Sequence, residues 1–395
     1  MRRVIFYGYD QEGVGGVQNL FVGFIKEFSR IGIETVVLCK ENSFIYKNIQ
    51  GLSSYIKIVN TTKIKSKYWS DYISEEDVLI VANFTSNLRP FIKRNPYVIF
   101  WVVLPGVFNK ANEIKIYSNK QRTVKLINYL NENNGLIFMD KSCLDSVEQD
   151  YSIKLKEPQY LSIPVNISKG ITITKSEKNS NKIIVTYLGR GEVLWKIYPV
   201  KKILLDLEAC NLDIEIDFYI ITNTKELFEK ELSLINRSKV NIFYKLDLNG
   251  EKLSKFIASH SDIHFAMGTS ALESAKLYIP TIVMDASNKD FPSAYSYKWL
   301  HENTCYELGT FIDKYAYGKE SRKSIGEVLE ELLKNKKQLG LLARDYVERN
   351  HSLDLNSIKL LERTKISQSR LSIFLEFTLR QNYFFQLLRR IFKSC

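Results

Sequence analysis

The chain has 395 residues, 45% of them hydrophobic and 25% charged, with 18 glycines, 8 prolines and a formal net charge of +12. This composition excludes a disordered, collagen-like or low-complexity chain, and the length predicts two domains, each with its own core. No uncharged apolar run reaches the ~18–20 residues needed to cross a bilayer. The longest, 97–108, is interrupted by Pro105. Met1-Arg2-Arg3 resembles the opening of a secretory signal, but the apolar stretch stops at Asp10 with no small-residue cleavage site, so a cytosolic chain is expected.

From the N-terminus, residues 4–7 read as a short apolar strand, followed by Gly8 and a glycine turn, Gly13-Val14-Gly15-Gly16. Val17, Leu20, Phe21, Phe24, Ile25, Phe28 and Ile31 then recur at helical spacing, Gly32 sits where a helix C-cap falls, and 34–39 is the next strand. This is a βαβ unit with a buried parallel sheet, and similar strands are expected at 78–82, 98–103 and 135–139. The glycine turn lacks the third glycine of the dinucleotide fingerprint, which argues against a dehydrogenase. Asp10, Glu12 and Asp140 stand at turns or strand ends, where a carboxylate serves as a cap or as a general base.

The positive charge is uneven. Residues 42–70 hold five lysines and no acid, and 88–125 hold eight Lys or Arg against Glu113. Such a surface attracts phosphates of a nucleotide, nucleic acid or anionic lipid, although Lys is abundant throughout the chain. The five cysteines (39, 143, 210, 305 and 395) form no C-x-x-C pair, so buried reduced thiols are expected. The four histidines (260, 264, 301 and 351) have no metal-ligand spacing. The acidic alternation Asp213, Glu215, Asp217 reads as a strand with one wet face sooner than as a metal site.

A strand and turn at 161–166 precede the polar stretch 168–182, the best linker in the chain. A second α/β series follows, with strands at 182–188, 214–221, 240–244, 262–267 and 281–284. The expected division is 1–167, 168–349 and a C-terminal segment 350–395.

Within this second half, a strand ends at Met267 and a short helix starts at Gly268-Thr269-Ser270-Ala271-Leu272-Glu273, with Pro280 opening the next strand. The backbone N–H groups at such a helix start suit a pyrophosphate, and Glu273, one turn in, suits a ribose diol. Ser270 and Glu273 also have capping-box spacing, in which both side chains merely close the helix. Earlier, Tyr187-Leu188-Gly189-Arg190 is followed by Lys196 between Trp195 and Tyr198.

These two segments resemble the donor-nucleotide motifs of GT-B glycosyltransferases, including the enzyme that adds N-acetylglucosamine to the lipid-linked peptidoglycan precursor. The resemblance implies an α/β fold of two Rossmann-like domains facing a cleft, with C-terminal crossover and amphipathic helices. It implies that Arg190 and Lys196 neutralise the donor pyrophosphate, that Gly268, Thr269 and Ser270 cradle it, and that Glu273 holds the ribose. Tyr244 and Leu246 fall in the strand that grips the base by its backbone, and Gly15 and Gly16 in a turn close to donor phosphates or acceptor. An inverting member would draw its base from Asp10, Glu12 or Asp140. Family 4 members carry a second glutamate eight positions before the one matched by Glu273; here that position is Phe265.

The segment 366–395 has five basic residues against Glu376. Ile373, Phe374, Phe377, Phe384, Phe385, Leu388, Ile391 and Phe392 share an arc of ~120° on a helical wheel. A helix of this kind lies in a membrane interface or packs back across the domains, as GT-B C-termini do. The resulting expectation is a peripheral membrane transferase at the inner face of the cell membrane, free of metal and cofactor. It would move a sugar from a nucleotide-sugar donor to a hydroxyl of a lipid-linked or growing surface polysaccharide, with no nucleic-acid partner. Two alternatives stand beside it: a non-catalytic GT-B binding subunit that recruits a partner transferase, and a sugar-nucleotide epimerase.

Overall fold

The computed structural model describes residues 2–8, 16–83, 88–109, 120–167, 182–315 and 322–377. The chain forms two units, one of Met1–Pro164 with Leu353–Cys395 and the other of Val165–Ser352.

The first unit is built on β1 (Val4–Tyr7), β2 (Thr35–Cys39), β3 (Ile56–Asn60), β4 (Val78–Val81), β5 (Tyr97–Val102) and β6 (Leu136–Phe138). They lie in the order β3-β2-β1-β4-β5-β6, and every pairing is parallel. Helices cover both faces of such a sheet, so its inner strands read as continuous apolar runs. All residues of β1, β2, β4 and β5 are buried. β3 was not expected from the sequence: it is an edge strand, half-exposed, and its Lys57 disguises the apolar pattern.

The C-terminal segment belongs to this unit. The helix Leu353–Ile366 packs beside the helix Gly16–Arg30, where Leu353 Cδ1 would lie 3.7 Å from a Cβ added at Gly23. The chain then runs along β5, and the Val98 N–H donates to the Ser369 carbonyl at 2.8 Å. Gly135 allows this pass, because a Cβ there would stand 2.1 Å from Ser369 Oγ. The Arg370 guanidinium lies 3.6 Å from the Tyr97 ring centroid, and Arg2 lies 3.7 Å from it. Residues 371–377 are helical, with Leu371, Phe374 and Leu375 buried in the core. The aromatic arc expected along 366–395 is therefore divided: Phe374 is core, Ile373 is 37% exposed, and the buried Leu371 and Leu375 lie outside that arc. An amphipathic pattern shows that a helix covers something apolar without saying what. Residues 378–395 lie outside the described part.

The second unit carries β7 (Lys182–Leu188), β8 (Glu215–Thr222), β9 (Val240–Leu246), β10 (Ile263–Ala266), β11 (Thr281–Val283) and β12 (Lys298–Trp299). Their order is β12-β11-β10-β7-β8-β9, parallel throughout except for β12. The main core lies on one face, where Phe265, Phe218 and Val185 meet Ile197, Ile203 and Leu207 of the helix Leu194–Ala209. The acidic alternation around 215 opens β8, where Lys182 pairs with Glu215 at 3.1 Å and Asp217 at 2.8 Å.

Candidate functional site

β7 is the first strand of the second unit and lies between β8 and β10, so the strand order reverses beside it. In open α/β sheets the crevice at the carboxyl ends of strands flanking such a reversal is where ligands bind. The two segments singled out by sequence both leave the sheet there: 189–196 follows β7 and 268–273 follows β10.

After β7 the chain turns through Gly189, Arg190 and Gly191. The Gly191 N–H donates to Asn223 Oδ1 at 3.1 Å, and a Cβ at Gly191 would meet the Thr224 carbonyl oxygen at 1.9 Å. Only glycine lets the loop after β7 lie this close to the loop after β8. Arg190 is exposed, whereas Lys196 is partly buried with its ammonium 4.8 Å from the Trp195 ring centroid. Burial, and then repulsion from Arg190, push the Lys196 ammonium down to about 7. Among the described residues neither cation has an acid partner. Tyr187 anchors the segment from below, its hydroxyl donating to the Lys196 carbonyl at 2.8 Å. Burial raises that phenol's pKa.

After β10, Gly268 adopts φ 61 and ψ −140 as the N-cap of the helix Thr269–Ala275. This backbone region is essentially closed to residues with a Cβ. The Gly268 N–H is taken by the Leu308 carbonyl at 2.9 Å. The N–H groups of Thr269 and Ser270 have no partner among the described residues, as expected at a helix start without a side-chain cap. Ser270 lies inside the helix, so the capping box with Glu273 does not form. The Glu273 carboxylate instead pairs with Lys276 Nζ at 2.6 Å and remains about one-third exposed. Phe265 lies in β10, fully buried, its ring 5.7 Å from Tyr297 in an edge contact.

A third segment, missed by sequence, joins these two. Its Leu308 carbonyl holds Gly268, and Phe311 packs on Trp195 with centroids 5.6 Å apart. The Ala286 N–H donates to the Thr310 carbonyl at 2.8 Å, and the Thr310 N–H donates to Asp285 Oδ1 at 2.9 Å. Asp285 is in turn paired with Arg322 at 2.8 Å, both side chains almost wholly buried, and accepts from the Tyr295 hydroxyl at 3.1 Å. The local signal was Gly309, at φ 109, where a Cβ would meet the Met284 carbonyl oxygen at 2.4 Å.

Tyr244 and Leu246 lie on β9, the edge strand, with β8 between it and β7. Burial pushes the Tyr244 phenol up to about 12, and Leu246 is 45% exposed. In the first unit, Gly16 opens its helix and is exposed, whereas Gly15, Asp10 and Glu12 lie outside the described residues. Asp140 is buried as the N-cap of the helix Lys141–Tyr151, its Oδ1 accepting from the Cys143 N–H at 2.8 Å. Among the described residues Cys39, Cys143 and Cys210 are buried, Cys305 is exposed, and none of the four is in a disulfide. No group of three His, Cys, Asp or Glu there could hold a metal ion.

No protein-family model matches this chain, and no curated protein sequence matches it. Solved structures do match. A glycosyltransferase from Rickettsia africae is 12% identical over 96% of this chain and 99% of its own, with a TM-score of 0.58. HepE of Anabaena, in complex with UDP and glucose, is 9% identical over 92% of this chain and 99% of its own, at 0.53. The lipopolysaccharide outer core galactosyltransferase WaaB is 13% identical over 93% and 99%, at 0.57. The two Rossmann-like units of this chain thus make up the GT-B fold.

Proposed function

We propose that the chain is a glycosyltransferase that takes a sugar from a nucleotide-sugar donor bound to the second unit. The observation that carries this reading is the cation pair Arg190 and Lys196, without an acid partner among the described residues, beside the same strand-order reversal as the Thr269 and Ser270 amides. As the glycosidic bond breaks, the nucleoside diphosphate gains charge. Fixed cations and amide dipoles that cost no reorganisation stabilise that charge. Lys196 is poised near neutrality and gains its proton most firmly when the diphosphate arrives. Glu273, free of capping, accepts from the ribose hydroxyls, and Tyr244 and Leu246 border the base. HepE in complex with UDP and glucose supports a donor of this class.

The acceptor is a hydroxyl of a lipid-linked or growing surface polysaccharide, a reading supported by the likeness to WaaB. If the reaction inverts configuration, Asp10, Glu12 and Asp140 are the candidates for its base. One Asp140 oxygen already caps a helix. The protein works at the inner face of the cell membrane, and 378–395, with four Lys or Arg beside four Phe or Tyr among Leu and Ile, contributes to that contact.

A second reading, a GT-B subunit that binds without catalysis, draws support from Phe265, whose ring is core where family 4 members carry a glutamate. Thermal unfolding with UDP, GDP, dTDP and CMP tests donor binding; a ligand at 100 times its Kd adds about 2.7 kcal/mol. One clear shift together with acceptor-dependent release of nucleoside diphosphate establishes the transferase. A shift without release leaves the binding subunit, and no shift with any nucleotide overturns the donor site.

A further inference from the structure

Parts of the two basic runs, 65–70 and 89–94, lie together in the folded first unit. The 3₁₀ turn Ser66–Tyr72 follows β3, and the 3₁₀ turn Arg89–Phe91 follows β4. They pack on each other: Trp69 stacks on Phe91 with centroids 6.1 Å apart, and both rings lean edgewise on Tyr7. Arg94 Nε donates to the Ser70 carbonyl at 3.2 Å and ties the turns together.

With these rings committed to the core, their neighbours in sequence are turned out. Tyr68 is 48% and Ile92 49% exposed, and Lys65, Lys67, Arg89 and Lys93 beside them are exposed. Those four cations have no acid partner among the described residues. The Lys67 ammonium lies 4.8 Å from the Tyr68 ring centroid. Lys63 differs, being paired with Glu41 at 2.9 Å, and Asp71 is the one exposed acid on the two turns.

We propose that this face docks on an anionic lipid bilayer. Holding two large side chains with apolar surface in water is unfavourable, and a bilayer interface takes up that surface while its anionic headgroups attract the surrounding cations. The Tyr68 ring sits at headgroup level, Ile92 reaches the acyl boundary, and the lysines and Arg89 meet lipid phosphates. A nucleic acid would satisfy the cations and leave Ile92 unmatched. The inference deepens the membrane part of the function proposed above and adds a contact that does not involve the C-terminal segment.

The test is sedimentation of the full chain with vesicles of phosphatidylcholine containing about 30% phosphatidylglycerol, against phosphatidylcholine alone. Binding to the anionic vesicles, weakened by salt, is expected. The triple variant Lys65→Glu, Lys67→Glu, Lys93→Glu should lower partitioning at least about tenfold. Tyr68→Ser with Ile92→Ser should lower it at unchanged charge. Both variants should keep the parent's melting temperature and its shift with nucleotide. Undiminished vesicle binding by both variants overturns the proposal, as does binding that is lost whenever the chain ends at residue 377. Capture of a duplex oligonucleotide in place of vesicles also overturns it. Vesicle binding without any nucleotide shift would sink the transferase and leave this surface standing.

Discussion

Arg190 opposes the charge on Lys196: the two cations stand near one another at the carboxyl end of β7, and burial holds the Lys196 ammonium near neutrality at about 7. An arrangement that disfavours its own charge in the free protein is stabilised when a dianion arrives between the cations.

The first prediction follows from linkage. A bound diphosphate raises the Lys196 pKa, so nucleotide binding takes up a proton once the pH exceeds about 7. Affinity should fall as the pH rises from 7 toward 9, by at most about tenfold per unit for one proton. Calorimetry in two buffers of different ionisation enthalpy reads the proton directly. Affinity that stays flat over this range would remove Lys196 from the phosphate site.

The same group makes stability and binding oppose each other. Between about 7 and its unfolded value the unfolded chain holds the extra proton, so the free protein gains stability from Lys196 as pH rises through that window. Lys196→Met should therefore raise the melting temperature at pH 7, by about 2–4 °C for a gain of about 1 kcal/mol, and abolish the nucleotide shift. A lower melting temperature would show that the ammonium is stabilising where it stands.

Glu273 separates ligand binding from capping. Because Gly268 is the N-cap and Ser270 lies inside the helix, Glu273→Ala should change unfolding free energy by no more than about 0.5 kcal/mol while greatly weakening nucleotide binding. A capping-box carboxylate would instead cost about 0.5–2 kcal/mol. Urea unfolding alongside the thermal shift distinguishes the two.

Gly268→Ala tests the turn itself. Its Cβ would enter open space, yet φ 61 with ψ −140 costs an alanine about 1–3 kcal/mol, so the turn should relax and the Thr269 and Ser270 amides re-aim. Loss of the nucleotide shift with the chain still folded is the expected result, and an unchanged shift would show that those amides are not used.

The segment 367–377 should be needed for the first unit to fold. A chain ending at 366 removes three buried apolar side chains, each worth about 2–5 kcal/mol, and should unfold the first unit. Hydrogen exchange in β5, whose Val98 N–H is bonded to Ser369, locates the effect.

His264 is buried and its pKa is pushed down to about 3 by desolvation, with Nδ1 2.7 Å from Thr186 Oγ1. Its unfolded form binds a proton near 6.5, so the protein should lose stability as pH falls from 6.5 toward 3. His264→Leu should flatten that slope in urea titrations at several pH values. An unchanged slope would assign the acid sensitivity elsewhere.

The alternation of strands and helices and the two motif segments are legible in the sequence. Those signals are local: continuous apolar runs such as 78–81 declare buried parallel strands, and Gly268 with Glu273 declares a strand-to-helix turn. The half-exposed β3 escaped because edge strands mix lysine with isoleucine. Which segments meet is visible only in the folded chain. That Phe311 lies on Trp195, that Leu308 holds Gly268, and that Ser369 pairs with Val98 depend on contacts between residues far apart in the chain, which leave no local pattern. The same holds for charge. Lys196 and Lys67 are alike in sequence, but burial beside Arg190 brings one near neutrality while the other remains exposed on the surface.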